Sequence, residues 1–173
     1  MMRYATEGEM YPEVCRWLED FLRHRHPRSK ISVLDASRQP VYHVLRNLQL
    51  TGLPSDWESW DIRADVLGIV SSKLSTRLAI VECKNRTITL AHLSQLLGYC
   101  RVAQPEYAFI LSPFGASDLL KRLLLTYGRK DVLVYQHREG KIARSLIIAR
   151  WDPTTNSVDY ASLVTGDDNV GRI

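Results

Sequence analysis

Residues 65–85, DVLGIVSSKLSTRLAIVECKN, decide how this chain folds. Two β-branched apolar runs, VLGIV and LAIV, flank the turn-rich SSKLST, the pattern of two strands joined as a hairpin. Runs this continuously apolar belong to central strands covered on both faces. Yet Asp65 opens the stretch, and Glu82 and Lys84 sit near its end. Side chains alternate along a strand, so Leu78, Ile80, Glu82 and Lys84 share one face, and Ala79, Val81 and Cys83 the other. Asp65 shares a face with Leu67 and Ile69, and hairpin pairing brings it beside Glu82 or Lys84. Burying such charges without partners costs several kcal/mol. A metal ion between the carboxylates removes that cost, and one or two carboxylates with several waters is the usual setting for magnesium. The competing reading places both acids at strand ends facing water, with Lys84 in a surface ion pair. A D…ExK match is short and common by chance.

Working outward, EMYPEVCRWLEDFLRHRHP has Val14, Trp17, Leu18, Phe21 and Leu22 at helical spacing, Pro12 in the first turn and Pro27 at the stop. KISVLDA is expected as a strand. PVYHVLRNLQLTGLP fits a helix by length and a strand by its Val41, Tyr42 and Val44, and SDWESW is expected as a surface loop. After the hairpin, TLAHLSQLLGYCRVA is a helix and EYAFILSP a strand. ASDLLKRLLLTYG is a helix capped by Ser117 or Asp118 and ended by Gly128. DVLVYQ and KIARSLIIAR are strands, and the polar stretch from Trp151 onward is a turn-rich tail, flexible from residue 165. The order predicts an α/β (α+β) fold with a mixed central β-sheet flanked by helices, as one domain over residues 1–164. On the helix after the hairpin, Leu90, Leu93, Leu96, Leu97 and Cys100 form one face, and His92, Gln95 and Tyr99 the other. That polar trio either looks toward the ends of the strands or is an ordinary solvated face.

ADVLGI, VECK and QLLGY, in that order, resemble the PD-(D/E)xK nuclease superfamily, with the restriction-endonuclease-like fold. QLLGY looks like the Q-x-x-x-Y helix of its RecB-type branch, and EGEMYPEVCRWLEDFL like the first helix of some small members. The resemblance covers roughly residues 7–112, and Ala64 stands where the superfamily's name has Pro. It implies a metal-dependent deoxyribonuclease, an endonuclease in preference to an exonuclease, with DNA as partner. Asp65, Glu82 and the backbone carbonyl of Cys83 would bind Mg2+ or Mn2+. Lys84 would orient or deprotonate the attacking water, and a buried lysine can have a depressed pKa. Gln95 would orient Lys84 or the water, Tyr99 would contact DNA or pack beneath the site, and Asn85 and Arg86 would contact DNA. An acid of the first helix would join the metal, with Glu7, Glu9 and Glu13 as candidates: Glu7 matches the small-member pattern best, and Glu13 is better placed if the helix starts at Pro12. The alternative is a catalytically silent nuclease-fold module that binds nucleic acid or serves as an assembly subunit.

The remaining bounds are broad. At 45% apolar and 24% charged, the 173 residues have the composition of a globular domain. No apolar run is long enough to span a bilayer, so no membrane partner is expected. Three scattered cysteines, Cys15, Cys83 and Cys100, predict a reduced intracellular protein without disulfides. A net charge of +4 is compatible with a polyanion. One site cuts one strand, so double-strand cleavage would need a two-fold homodimer, with residues 41–60 or the C-terminal strands as the contact.

Overall fold

In the computed structural model, which describes residues 4–138 and 141–166, the hairpin is the middle of a six-stranded mixed sheet. Strands β1 (Lys30–Asp35), β2 (Val66–Ser71) and β3 (Thr76–Cys83) pair antiparallel. β4 (Tyr107–Ser112) lies parallel to β3, and β7 (Ile147–Asp152) parallel to β4. β8 (Ser157–Thr165) closes the far edge antiparallel to β7. A separate ribbon pairs β5 (Val134–Arg138) with β6 (Lys141–Ser145).

The alternation read from the hairpin sorts the core into two halves. Val66, Val70, Ala79, Val81 and Cys83 face α1 (Tyr11–Arg25), which buries Val14, Trp17, Leu18, Phe21 and Leu22. Gly68 makes this contact close: a Cβ there would lie 2.7 Å from a Leu22 methyl and 3.1 Å from one of Leu18. Leu67, Ile69, Leu78 and Ile80 face the other layer, built from α2 (Val41–Arg46), α3 (Leu90–Ala103), α4 (Asp118–Lys121) and the β5–β6 ribbon. Ser117 caps α4 through the Leu120 N–H, as expected, and the helix continues as a π-turn to Thr126 before Gly128 at φ +66°.

Three expectations are corrected. KIARSLIIAR is two strands, because Leu146, fully buried and bonded through its N–H to the Leu133 carbonyl, breaks it into β6 and β7. The polar stretch after Trp151 is not a tail: β8 is an edge strand whose one-sided burial gave too few apolar positions to be seen, and it runs to Thr165. The remainder of the expected tail, residues 167–173, lies outside the described residues. Residues 41–60 expose less apolar surface than expected: Val41, Val44, Leu45 and Trp60 point into the core, Trp57 is half-buried, and Leu48 is exposed. The ambiguous segment at Val41 is helical after Pro40, and the Trp60 indole is satisfied by Asp56. Among the described residues no helix is long and apolar enough to cross a membrane.

Candidate active site

The charged residues of the hairpin meet at one end of the sheet. With Val66 opposite Val81, the next step of the pairing sets Asp65 against Glu82, near the C-terminal end of β3. In open sheets of this kind, ligands bind outside the carboxyl ends of parallel strands, and β3 and β4 are parallel here. Glu82 and Lys84 are only 7% and 8% exposed, so the reading of a surface ion pair facing water does not hold. Lys84 donates through Nζ to Glu82 Oε1 at 2.8 Å. Its backbone N–H goes to the Leu111 carbonyl, which fixes the end of β3 against β4.

Asp65 is held from two sides. The Cys83 N–H donates to its Oδ2 at 2.7 Å, and the Tyr11 hydroxyl to its Oδ1 at 2.8 Å. The first bond makes Asp65 a stop for the β3 backbone. The second ties it to the first turn of α1, where a buried phenol needs a partner. Burial, then the bond to Asp65, holds the Tyr11 hydroxyl far above its ordinary pKa, so it remains a donor. The sequence contains this residue in its Tyr-Pro pair, but no local pattern gives it a role, because its partner is 54 residues away.

The N-terminal segment supplies a third acid. A 3-10 turn over Glu7–Glu9 precedes α1 and sets Glu7 Oε2 3.6 Å from Lys84 Nζ and Glu7 Oε1 3.4 Å from the Asn85 N–H. Asn85 also donates through Nδ2 to the Tyr4 carbonyl at 3.0 Å. Glu13 goes elsewhere: it accepts from the Tyr4 hydroxyl, which also accepts the Trp151 indole N–H. Of the three candidate acids, the structure thus brings Glu7, not Glu13, to Lys84, and Glu9 accepts from the Ala5 N–H at 2.9 Å.

Three carboxylates therefore share one ammonium. Burial, then the charge of Asp65, pushes the Glu82 carboxyl up to about 7, against the pull of Lys84. Burial also raises Asp65, offset in part by its two hydrogen bonds and by Lys84. The expected depression of Lys84 is overturned: burial opposes its charge, but the Glu82 hydrogen bond and the charges of Glu82, Glu7 and Asp65 outweigh it and hold the ammonium above its ordinary range.

Other expected site residues are less directly engaged. The Cys83 thiol is fully buried in the α1-side core, which drives its pKa well up, so only its backbone is near the acids. Gln95 is exposed and donates to the Tyr99 hydroxyl at 3.2 Å, and makes no hydrogen bond to Lys84. Tyr99 is half-buried against the α3-side core. Asn85 is half-buried and committed to the N-terminal segment, which takes up the groups expected to reach DNA. Arg86 is exposed, with its carbonyl tied to the Ser112 hydroxyl at 2.7 Å. His92 completes a capping box with Thr89, its Nδ1 accepting the Thr89 N–H at 3.2 Å. Burial, then the charges of Lys84 and Arg86, lowers its pKa and keeps it neutral.

The donor set fits a hard divalent cation. The cluster carries excess negative charge, and Glu82 Oε2 has no protein hydrogen bond among the described residues. Among the described residues no group of three or more His, Cys, Asp or Glu side chains is placed to hold a metal ion. Magnesium needs none, since it binds through one or two carboxylates and keeps several waters. A cavity of about 240 Å³ lined by Trp60, Arg77, Gln104 and Arg144 lies where β3 begins and shares no residue with the cluster. No protein-family model matches this chain, and neither a curated protein nor a solved structure matches it.

Proposed function

We propose that this chain is a metal-dependent nuclease of the PD-(D/E)xK type, built on a restriction-endonuclease-like core and hydrolysing DNA phosphodiester bonds. The observation that carries the proposal is the Asp65–Glu82 pair, gathered with a single lysine at the carboxyl end of β3 and poorly neutralised there. A buried pair of this kind is weak evidence of a stabilising role, since apolar residues of similar volume often serve as well or better.

Asp65, Glu82 and the Cys83 carbonyl would hold Mg2+ or Mn2+, with Glu7 as the adjoining acid. A bound ion of this kind lowers the pKa of its water and neutralises charge on the phosphate. The chain's own groups supply the rest. Tyr11 and the Cys83 N–H fix the Asp65 carboxylate in one orientation. Lys84, hydrogen-bonded to Glu82 at the edge of the cluster, acts as a cation toward the phosphate oxygens and stabilises negative charge as it develops. His92, neutral and with Nδ1 already accepting, carries its proton on Nε2.

The test is nicking of supercoiled plasmid and cleavage of labelled oligonucleotides in Mg2+ and in Mn2+. Lys84→Ala should slow cleavage by about 10²–10³-fold, the usual cost of removing one group that stabilises developing negative charge, and Asp65→Asn should abolish it, with melting temperatures showing both variants folded. A parent protein inert on DNA and RNA with both ions would replace the enzyme by the catalytically silent binding module.

A further inference from the structure

The end of the sheet that carries the carboxylates also carries arginines without partners. Arg38, Arg63 and Arg86 are exposed, and none has a carboxylate partner among the described residues. Some other arginines are taken up by acids, as Arg77 is by Glu106 and Arg150 by Asp159, so what sets these three apart is their place at the sheet end. The backbone fixes where the three lie. The turn over residues 37–40 is bracketed by the Ala36 N–H on the Asp65 carbonyl at 2.9 Å and the Val41 N–H on the Ile62 carbonyl at 2.8 Å. Arg38 is therefore at the tip of a turn lying alongside residues 62–65, on the β1 flank. Arg63 is two residues before Asp65, between the buried Ile62 and Ala64. Arg86 is two residues beyond Lys84, on the β4 flank, where its carbonyl meets Ser112.

We propose that Arg38, Arg63 and Arg86 form a phosphate track that lays one nucleic-acid strand across the sheet end, with Asp65, Glu82 and Lys84 between its two halves. The proposal rests on the nuclease reading above and names the groups that hold its substrate. From β1 to β4 is three strand spacings, about 14 Å. That corresponds to roughly four nucleotides of one B-form strand at about 3.4 Å each. Arginine suits the task because its planar fork matches two phosphate oxygens at once, and its charge does not depend on pH. The track also resolves an electrostatic conflict: a polyanion must approach a cluster of carboxylates, and unpaired cations on both flanks supply the attraction.

The experiment is fluorescence anisotropy in EDTA, with a labelled 20-base-pair duplex and with its single strand, across a range of salt. Arg38→Gln and Arg63→Gln should each weaken duplex binding and reduce the slope of log K against log salt by about 0.9, or about 0.7 on the single strand. Lys73→Gln, in the β2–β3 turn at the opposite pole, and Arg101→Gln, near the far end of α3, should leave the slope unchanged. Slopes unchanged in both track variants, or lowered equally by the two controls, overturn the track. If the parent cuts DNA while the track variants bind as it does, the track fails and the nuclease stands. If binding depends on the track and no cleavage occurs, the track stands and the nuclease fails. A parent that binds neither probe overturns both.

Discussion

Glu82→Gln separates a metal site from a structural ion pair by stability alone. In the metal-free protein the Glu82 carboxyl is raised from an ordinary 4.5 to about 7. A carboxyl raised on folding binds its proton more tightly in the native state. Its stabilising contribution is fully present below pH 4.5 and is lost as pH rises to 7. At about 1.36 kcal/mol per pH unit, the gap amounts to about 3 kcal/mol. Urea unfolding in EDTA at constant ionic strength should therefore show the parent losing a few kcal/mol between pH 4.5 and 7, with a plateau above. A glutamine amide cannot ionise, so Glu82→Gln should flatten that profile. At pH 8 the variant should equal or exceed the parent by up to about 3 kcal/mol, less what Lys84 loses with its partner. Adding Mg2+ at pH 8 should stabilise the parent and not the variant, because only binding to the native state shifts the equilibrium. A parent whose stability is flat from pH 4.5 to 7, with Glu82→Gln less stable than the parent at pH 8, would refute the reasoning and make the cluster a supporting ion pair.

Two further outcomes follow from contacts described above. Tyr11→Phe removes the hydrogen bond to Asp65 Oδ1 and should cost about 1.5–3 kcal/mol by urea unfolding, the range for bonds to charged groups; cleavage should then need more Mg2+, with no loss at saturating ion. Gly68→Ala sets a methyl 2.7 Å from Leu22 and should destabilise by about 1–3 kcal/mol, read in the midpoint of denaturation, while leaving cleavage by the folded fraction intact.

The hairpin and its facing were legible because alternation is a local property: Leu78, Ile80 and Glu82 share a face whatever surrounds them. Helix α1 was legible from its apolar spacing and Pro12, and α4 from Ser117 and Gly128. β8 was not, since an edge strand half-buried along most of its length shows no clear apolar alternation. Nor was the break at Leu146, where an apolar residue leaves one sheet for another without a turn residue to mark it. At the site, Asp65, Glu82 and Lys84 could be assembled from strand geometry alone. The direction of the Lys84 shift could not, because it depends on how many carboxylates surround the ammonium, and Glu7 arrives from 77 positions earlier in the sequence. Gln95 and Tyr99 were readable as one helix face, but not as partners of each other rather than of Lys84.

The placement of Tyr4 has a consequence for the order in which the molecule is made. Its carbonyl waits for Asn85, 81 residues later, and its hydroxyl for Trp151, 147 residues later. A chain synthesised from its N-terminus therefore exposes Glu7 and Tyr11 long before the groups they meet exist. The β2–β3 hairpin forms its own local contacts early, whereas the contacts that draw Glu7 onto Lys84 close the longest loops and are among the last to form. Completion of the acid cluster on this account is a late event of biogenesis: the hairpin brings Asp65 and Glu82 together early, and Glu7 joins them only once the N-terminal segment has docked.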